Sequence, residues 1–206
     1  MSLLIAAFVV GETRQAAAQG TGRVPQSVLD QAEAATRAMG QQVLQGNFRV
    51  ALERMYPRWK KRAAKKLQGG QVELARRLAE IPKEMARQGI SMLNYEVRKA
   101  TSAHEVVLLR GEDKEGRPIN MYLEWLVFVP TRAEYRVIDP KTRLPRKIEI
   151  LGFQVAVNKK GTPDWHFIDG RNCSIADLRS FFPSLPEDQK LLGLPEIGGE
   201  EIRRER

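Results

Sequence analysis

Cysteine and histidine are scarce in this chain, which has one cysteine and two histidines among its 206 residues. A single cysteine, Cys173, cannot form a disulfide within the chain, and a thiolate cluster for a metal is excluded. Cys173 is expected to be a small, half-buried residue rather than a reactive thiol. His104 and His166 have no acidic partner at metal-ligand spacing, so we predict neither a metal site nor a cofactor.

Long apolar runs and nucleotide-binding or hydrolase motifs are also missing. The apolar stretch at residues 3–10 is too short for a membrane helix, which needs roughly 20 such residues. The chain has no phosphate loop, dinucleotide fingerprint or nucleophile elbow. We therefore expect a mature chain without a transmembrane segment, and these three catalytic classes have no support.

The first residues have the pattern of an export signal. The apolar run at residues 3–10 is followed by a polar bridge and by Ala16-Ala17-Ala18-Gln19, which contains an A-x-A cleavage site. We predict a signal peptide over residues 1–18 and a periplasmic or extracellular protein. No Lys or Arg precedes the apolar run, which would be explained by a start codon upstream of Met1. The alternative is a buried N-terminal strand of a cytoplasmic protein.

Positive charge is concentrated in one stretch of the sequence. The formal net charge is +9, and residues 49–87 hold twelve Lys or Arg residues against four Glu residues. Such a stretch is either a solvated helix face or a surface for an anionic polymer or membrane. The second interpretation would use five residues: Arg58, Lys61, Arg62, Lys65 and Arg76.

Apolar spacing predicts helices first and strands afterwards. Three helices are expected, from Ser27 to Gly46, from Phe48 to Leu67 and over residues 71–88. Pro57 lies inside the second helix and should kink or interrupt it. Five strands follow, at residues 93–97, 104–109, 119–129, 148–157 and 165–168, and then a short helix at residues 172–181.

This order predicts one α+β domain over residues 24–195, followed by a charged flexible tail over residues 196–206. Three helices would pack on one face of a curved antiparallel sheet of about five strands. The third strand, however, is apolar on both faces. A second copy of the chain would cover the free face, which predicts a homodimer through the sheet. The alternative cover is the C-terminal segment.

Several short segments together are typical of one known superfamily: Gly46–Phe48, Met55–Pro57, Gly69-Gly70, Trp165–Gly170, Phe181–Pro186 and Leu194-Pro195. They resemble small exported bacterial proteins of the nuclear transport factor 2-like (cystatin-like, SnoaL-like) superfamily. The resemblance covers residues 28–195, and the charged insert at residues 130–145 departs from it. It implies a cone in which helices and a bent sheet enclose a pocket. Members of the superfamily include ketosteroid isomerases, polyketide cyclases and many binding modules, so the fold leaves the function open.

The candidate site residues follow from this cone. An isomerase-like site needs a carboxylate base in the pocket. Glu124 is the better candidate, because the rest of its strand is apolar, whereas Asp169 before Gly170 is more typical of a turn. A small amphipathic ligand would be bound by residues expected to line the cone, namely Tyr56, Trp59, Tyr95, Met121 and Trp125.

The leading hypothesis is an exported, dimeric, non-catalytic binding or interaction module. The first alternative is a pocket enzyme of the isomerase or cyclase type, with Glu124 or Asp169 as its base. The second alternative is a surface binder of anionic polymer or membrane through the basic residues named above. The residues alone do not choose between a pocket and a surface.

Overall fold

The structure is a computed structural model that describes residues 24–195 and 197–202. The predicted signal peptide at residues 1–18 lies outside the described residues, as does the end of the predicted tail at residues 203–206. Within the described part, no helix is both long enough and apolar enough to cross a membrane.

Four helices precede the sheet, where three were predicted. They are α1 (Gln26–Leu44), α2 (Arg49–Glu53), α3 (Pro57–Lys65) and α4 (Gly70–Arg87). The predicted second helix is divided because Pro57 occupies the first turn of α3, where its missing N–H is not needed. Pro82, in contrast, lies inside α4 without ending it.

The break between α2 and α3 attaches the helices to the sheet. The N–H of Tyr56 donates to the carbonyl of Phe167 over 2.9 Å, and the N–H of Phe167 donates to the carbonyl of Arg54 over 2.7 Å. Residues 54–56 therefore cover a sheet edge as a short parallel bridge. This bridge orients both α2 and α3.

The sheet is antiparallel, curved and open, which confirms the predicted α+β class. Long strands β3 and β4 form its centre. The outer edge of β3 is shared by β1 and β2, and the outer edge of β4 is shared by β5 and β6. The bounds are β1 (Ser91–Val97), β2 (Ser102–Glu112), β3 (Pro118–Ile138), β4 (Pro145–Lys159), β5 (Trp165–Asp169) and β6 (Gly198–Ile202).

The charged insert predicted at residues 130–145 is mostly strand. β3 continues to Ile138, and β4 begins at Pro145. Pro130 is tolerated inside β3 because its carbonyl points at the gap between β1 and β2, where it accepts from the N–H of Arg98 over 3.0 Å. The N–H that proline lacks would point at the same gap. The charges in the β3 part of this segment, Arg132, Glu134 and Arg136, lie on one face, where Arg132 contacts Glu149 over 2.6 Å.

The predicted flexible tail also differs. Gly198–Ile202 forms β6, which pairs with residues 147–151 of β4. The outer edge of β4 would otherwise expose unpaired backbone groups beyond the end of β5. Backbone pairing therefore orders this segment although its composition is charged.

Both faces of the central part of the sheet are covered by the same chain. On one face, α1 and α2 pack on Val127, Val129 and Ala156. On the other face, Leu126 and Phe128 pack against a C-terminal segment that contains α5 (Ile175–Phe181) and α6 (Gln189–Leu192). The C-terminal alternative is therefore confirmed as the cover. The free face that suggested a homodimer is not free, and dimerisation stays a prediction.

The C-terminal segment is anchored to β2 by side chains that reach its backbone. The hydroxyl of Ser102 donates to the carbonyl of Leu192 over 2.7 Å, and the His104 Nε2 lies 3.1 Å from the same oxygen. Burial lowers the pKa of His104, because the charged ring would lose its hydration. His166 on β5 also has a pKa lowered by burial.

These two histidines predict a loss of stability on mild acidification. Their folded pKa values lie below the unfolded value of about 6.5, so the unfolded chain binds protons that the folded chain excludes. The free energy of unfolding should therefore fall as the pH decreases from about 7.5 to about 5.5. Urea denaturation at several pH values measures this slope.

The His104→Gln variant is the control, because its amide keeps a donor near Leu192 but does not titrate. We expect a shallower pH slope for this variant. An identical slope, or a wild-type protein that gains stability on acidification, would contradict the assignment to His104.

Candidate functional site

A cavity of about 430 Å³ lies between the helices and the sheet. This volume falls within the range of roughly 300–1,000 Å³ that is typical of small-molecule sites. Helices α1 to α4 form one wall, and the second half of β3 with the facing parts of β1, β4 and β5 forms the other. The lining residues that are apolar or aromatic include Met39, Val43, Met55, Trp59, Leu78, Ile81, Met92, Tyr95, Ala133, Tyr135, Ile150 and Phe167.

Strand alternation creates the sheet wall of this cavity. Thr131, Ala133 and Tyr135 point inward, whereas Arg132 and Glu134 between them point to the opposite face. The same alternation on β4 turns Ile150, Gly152 and Gln154 inward. The cavity therefore depends on the half of β3 that the sequence had suggested was an insert.

Two glycines make room in the cavity wall. A Cβ on Gly40 of α1 would lie 2.0 Å from ring atoms of Tyr95, so the aromatic ring rests directly on the helix backbone. A Cβ on Gly152 of β4 would lie 3.2 Å from the Arg171 side chain, which crosses the strand there. Gly40 needs glycine because the Tyr95 ring occupies the side-chain position, whereas a Cβ at Gly152 would require only a small shift of the Arg171 side chain.

The Tyr95 hydroxyl is an unsatisfied group. It is closed off from solvent, and it has no hydrogen-bond partner of acceptable geometry among the described residues. Burial raises the pKa of Tyr95 well above its usual value, and Thr131 is near enough to oppose that increase in part. The phenol therefore stays neutral, and its ring provides the packing.

The polar groups of the cavity cluster where β3, β4 and β5 meet. Thr131, Gln154 and Tyr135 form no side-chain hydrogen bond within the described part of the chain, and the exposed Arg171 side chain has no partner there either. Asp169 is different, because its Oδ1 accepts from the N–H of Arg171 over 3.1 Å and its Oδ2 accepts from Asn172 over 2.6 Å. The turn role favoured by the sequence for Asp169 is therefore present.

The five residues predicted to line one pocket lie in four places. Trp59 and Tyr95 line the cavity, but Tyr56 points to the other face of the sheet. Trp125 packs under α1 and α2, and Met121 is 41% exposed. Because a strand rises about 3.3 Å per residue, Met121 lies roughly 40 Å along β3 from Ala133. The alternation of residues 131–137 was the overlooked signal.

Glu124 belongs to a second, smaller cavity of about 340 Å³. It accepts a hydrogen bond from the Tyr56 hydroxyl over 3.1 Å. Burial and the adjacent Glu124 carboxylate raise the pKa of Tyr56 to about 12. Glu124 and Asp169 are thus in separate cavities, on opposite faces of the sheet, and they do not form a carboxylate pair.

Three of the five residues of the predicted basic surface have partners within the chain, although Arg58 and Arg76 are exposed. Arg58 donates to the carbonyl of Phe181 over 2.7 Å, Arg62 contacts Asp177 over 2.9 Å, and both guanidinium groups lie over the Phe181 ring. Arg76 is paired with glutamates of its own helix α4. Of the five predicted residues, only Lys61 and Lys65 lack a described partner.

Neither the single cysteine nor a metal-binding cluster provides a competing functional site in the described part of the chain. Burial raises the pKa of Cys173 to about 12, so its thiol stays protonated and a poor nucleophile. Among the described residues, no group of three or more His, Cys, Asp or Glu side chains is arranged to hold a metal ion. The helix–sheet cavity is therefore the candidate functional site.

No family model, curated protein or solved structure matches the chain. Membership of the nuclear transport factor 2-like superfamily consequently remains a prediction.

The contact of Gly40 with Tyr95 predicts a destabilising alanine substitution. Alanine is favoured over glycine in a helix by about 1 kcal/mol, but a methyl group at Gly40 would displace the Tyr95 ring. We expect Gly40→Ala to lower the free energy of unfolding by about 1–3 kcal/mol, which is typical of an overpacked core. Urea denaturation measures the change.

A double-mutant cycle provides the control for this prediction. In a Tyr95→Ala background the ring is gone, so Gly40→Ala should become neutral or stabilising. The same loss of stability in both backgrounds would show that the ring contact does not limit the residue at position 40.

Proposed function

We propose that this protein is a non-catalytic binding protein that holds a small apolar or amphipathic molecule in the helix–sheet cavity. The observation that carries the proposal is the cavity itself, with its volume of about 430 Å³ and its mostly apolar and aromatic lining. Binding sites for small molecules are commonly apolar with a few polar groups that orient the ligand. Thr131, Gln154 and Arg171 supply such groups here.

The arrangement of the acids favours binding over catalysis. An isomerase-like reaction requires a base and an oxyanion-stabilising donor that converge on one substrate. Glu124 accepts a hydrogen bond from Tyr56 outside this cavity, and both carboxylate oxygens of Asp169 accept hydrogen bonds within its own turn. Export and dimerisation are part of the proposal on the grounds of the sequence alone.

Filling the cavity should abolish binding. Ala133 lies in the sheet wall and is 8% exposed, so Ala133→Phe places a ring in the space that a ligand would use. We expect wild-type protein to bind the small apolar fluorophore 1-aminoanthracene saturably, with one molecule per chain. The affinity of Ala133→Phe should be at least about tenfold lower, since it loses the apolar contacts of the ligand.

The matched control is Ala34→Phe, because Ala34 is exposed on α1 and does not line the cavity. This variant should bind the fluorophore like the wild-type protein, and circular dichroism should show that both variants are folded. A wild-type protein that fails to bind, or a folded Ala133→Phe variant that binds normally, would refute the proposed function.

A further inference from the structure

The polar end of the cavity has a definite charge, and this charge restricts the ligand class. Arg171 lies at the mouth, where its aliphatic part rests on Gly152 at a distance of 3.2 Å from the position of a Cβ. Its guanidinium forms no ion pair and no hydrogen bond with any described residue. Tyr135 lies in the same part of the wall.

Several other arginines of the described chain are engaged elsewhere, and Arg171 is the one arginine among the described residues that line this cavity. Arg62 and Arg132 are paired with acids, and Arg58 donates to a backbone carbonyl. The exposed Arg171 side chain instead passes over Gly152 in the cavity wall, while the Arg171 backbone N–H donates to Asp169. The turn thus holds the backbone and leaves the guanidinium available.

The local electrostatics at the mouth favour an anion. Burial raises the pKa of Tyr135, and Arg171 lowers it by more than Asp169 raises it. The positive charge of Arg171 therefore outweighs the negative charge of Asp169 at the Tyr135 hydroxyl. Both oxygens of the Asp169 carboxylate already accept hydrogen bonds within their own turn.

We propose that the ligand of this cavity is an amphipathic monocarboxylate whose head group binds Arg171 and Tyr135 and whose apolar body extends toward Phe167 and α1. A guanidinium can donate two parallel hydrogen bonds to a carboxylate, and a phenol can add a third. The apolar part would contact Met39 and Val43 on α1. This inference rests on the proposed function, because it specifies the ligand of the same cavity.

Matched probes test the head group separately from the cavity. Octanoate and 1-octanol share an apolar chain and differ in charge, and ligand-observed NMR can measure the affinity of both for the full chain. We expect wild-type protein to bind octanoate about tenfold more tightly, since a hydrogen bond to a charged group contributes more than a neutral one. Equal affinities would overturn the carboxylate assignment and leave the proposed function standing.

Variants then test the residues. Arg171→Gln should weaken octanoate binding about tenfold and leave 1-octanol within about twofold, and Tyr135→Phe should have a smaller effect in the same direction. Arg37→Gln removes the same charge from an exposed position on α1 and should change neither affinity. Equal losses in Arg37→Gln and Arg171→Gln would overturn the inference. Failure of both probes to bind wild-type protein would refute the proposed function itself.

Discussion

The ladder between β3 and β4 is the constraint on which the rest of the structure depends. It joins fifteen residue pairs, from Glu124 with Lys159 to Ile138 with Pro145. Every other strand pairs with one of these two. Because side chains alternate along so long a ladder, one register decides which residues face the helices and which face the C-terminal segment. A shift by one residue would exchange the cavity wall with the charged face.

The sequence allowed the helices and the first half of the sheet to be predicted, since apolar spacing there is strong. It failed where packing and pairing determine structure. Residues 131–137 alternate strictly between inward and charged positions, but they were interpreted as part of a charged insert at residues 130–145. The sequence did not reveal how far β3 extends, so Met121 and Trp125 were assigned to the cavity although its wall is formed by residues further along the strand. The contact between Gly40 and Tyr95 joins α1 to β1, and no local pattern reveals it.

The basic stretch shows why composition alone cannot assign a surface. Residues 49–87 contain a large excess of positive charge, but Arg58 and Arg62 attach α3 to α5 through Phe181 and Asp177. Their partners are more than a hundred residues away in sequence. Arg171 presents the opposite case, because it belongs to no basic cluster in the sequence and yet is the arginine that lies at the cavity mouth without a partner. The role of an arginine therefore depends on its position in the fold and not on how many basic residues surround it in the sequence.

The anchoring of the C-terminal segment to β2 has a consequence for how the chain folds during synthesis. Ser102 and Leu192 are separated by 90 positions, and the apolar face around Phe128 is covered only when both are present. A nascent chain that lacks residues 175–192 would expose Leu126 and Phe128 to solvent. Such non-local closure slows folding. The fold can therefore close only after residues 175–192 have left the ribosome, so the strands are synthesised well before their apolar face is covered.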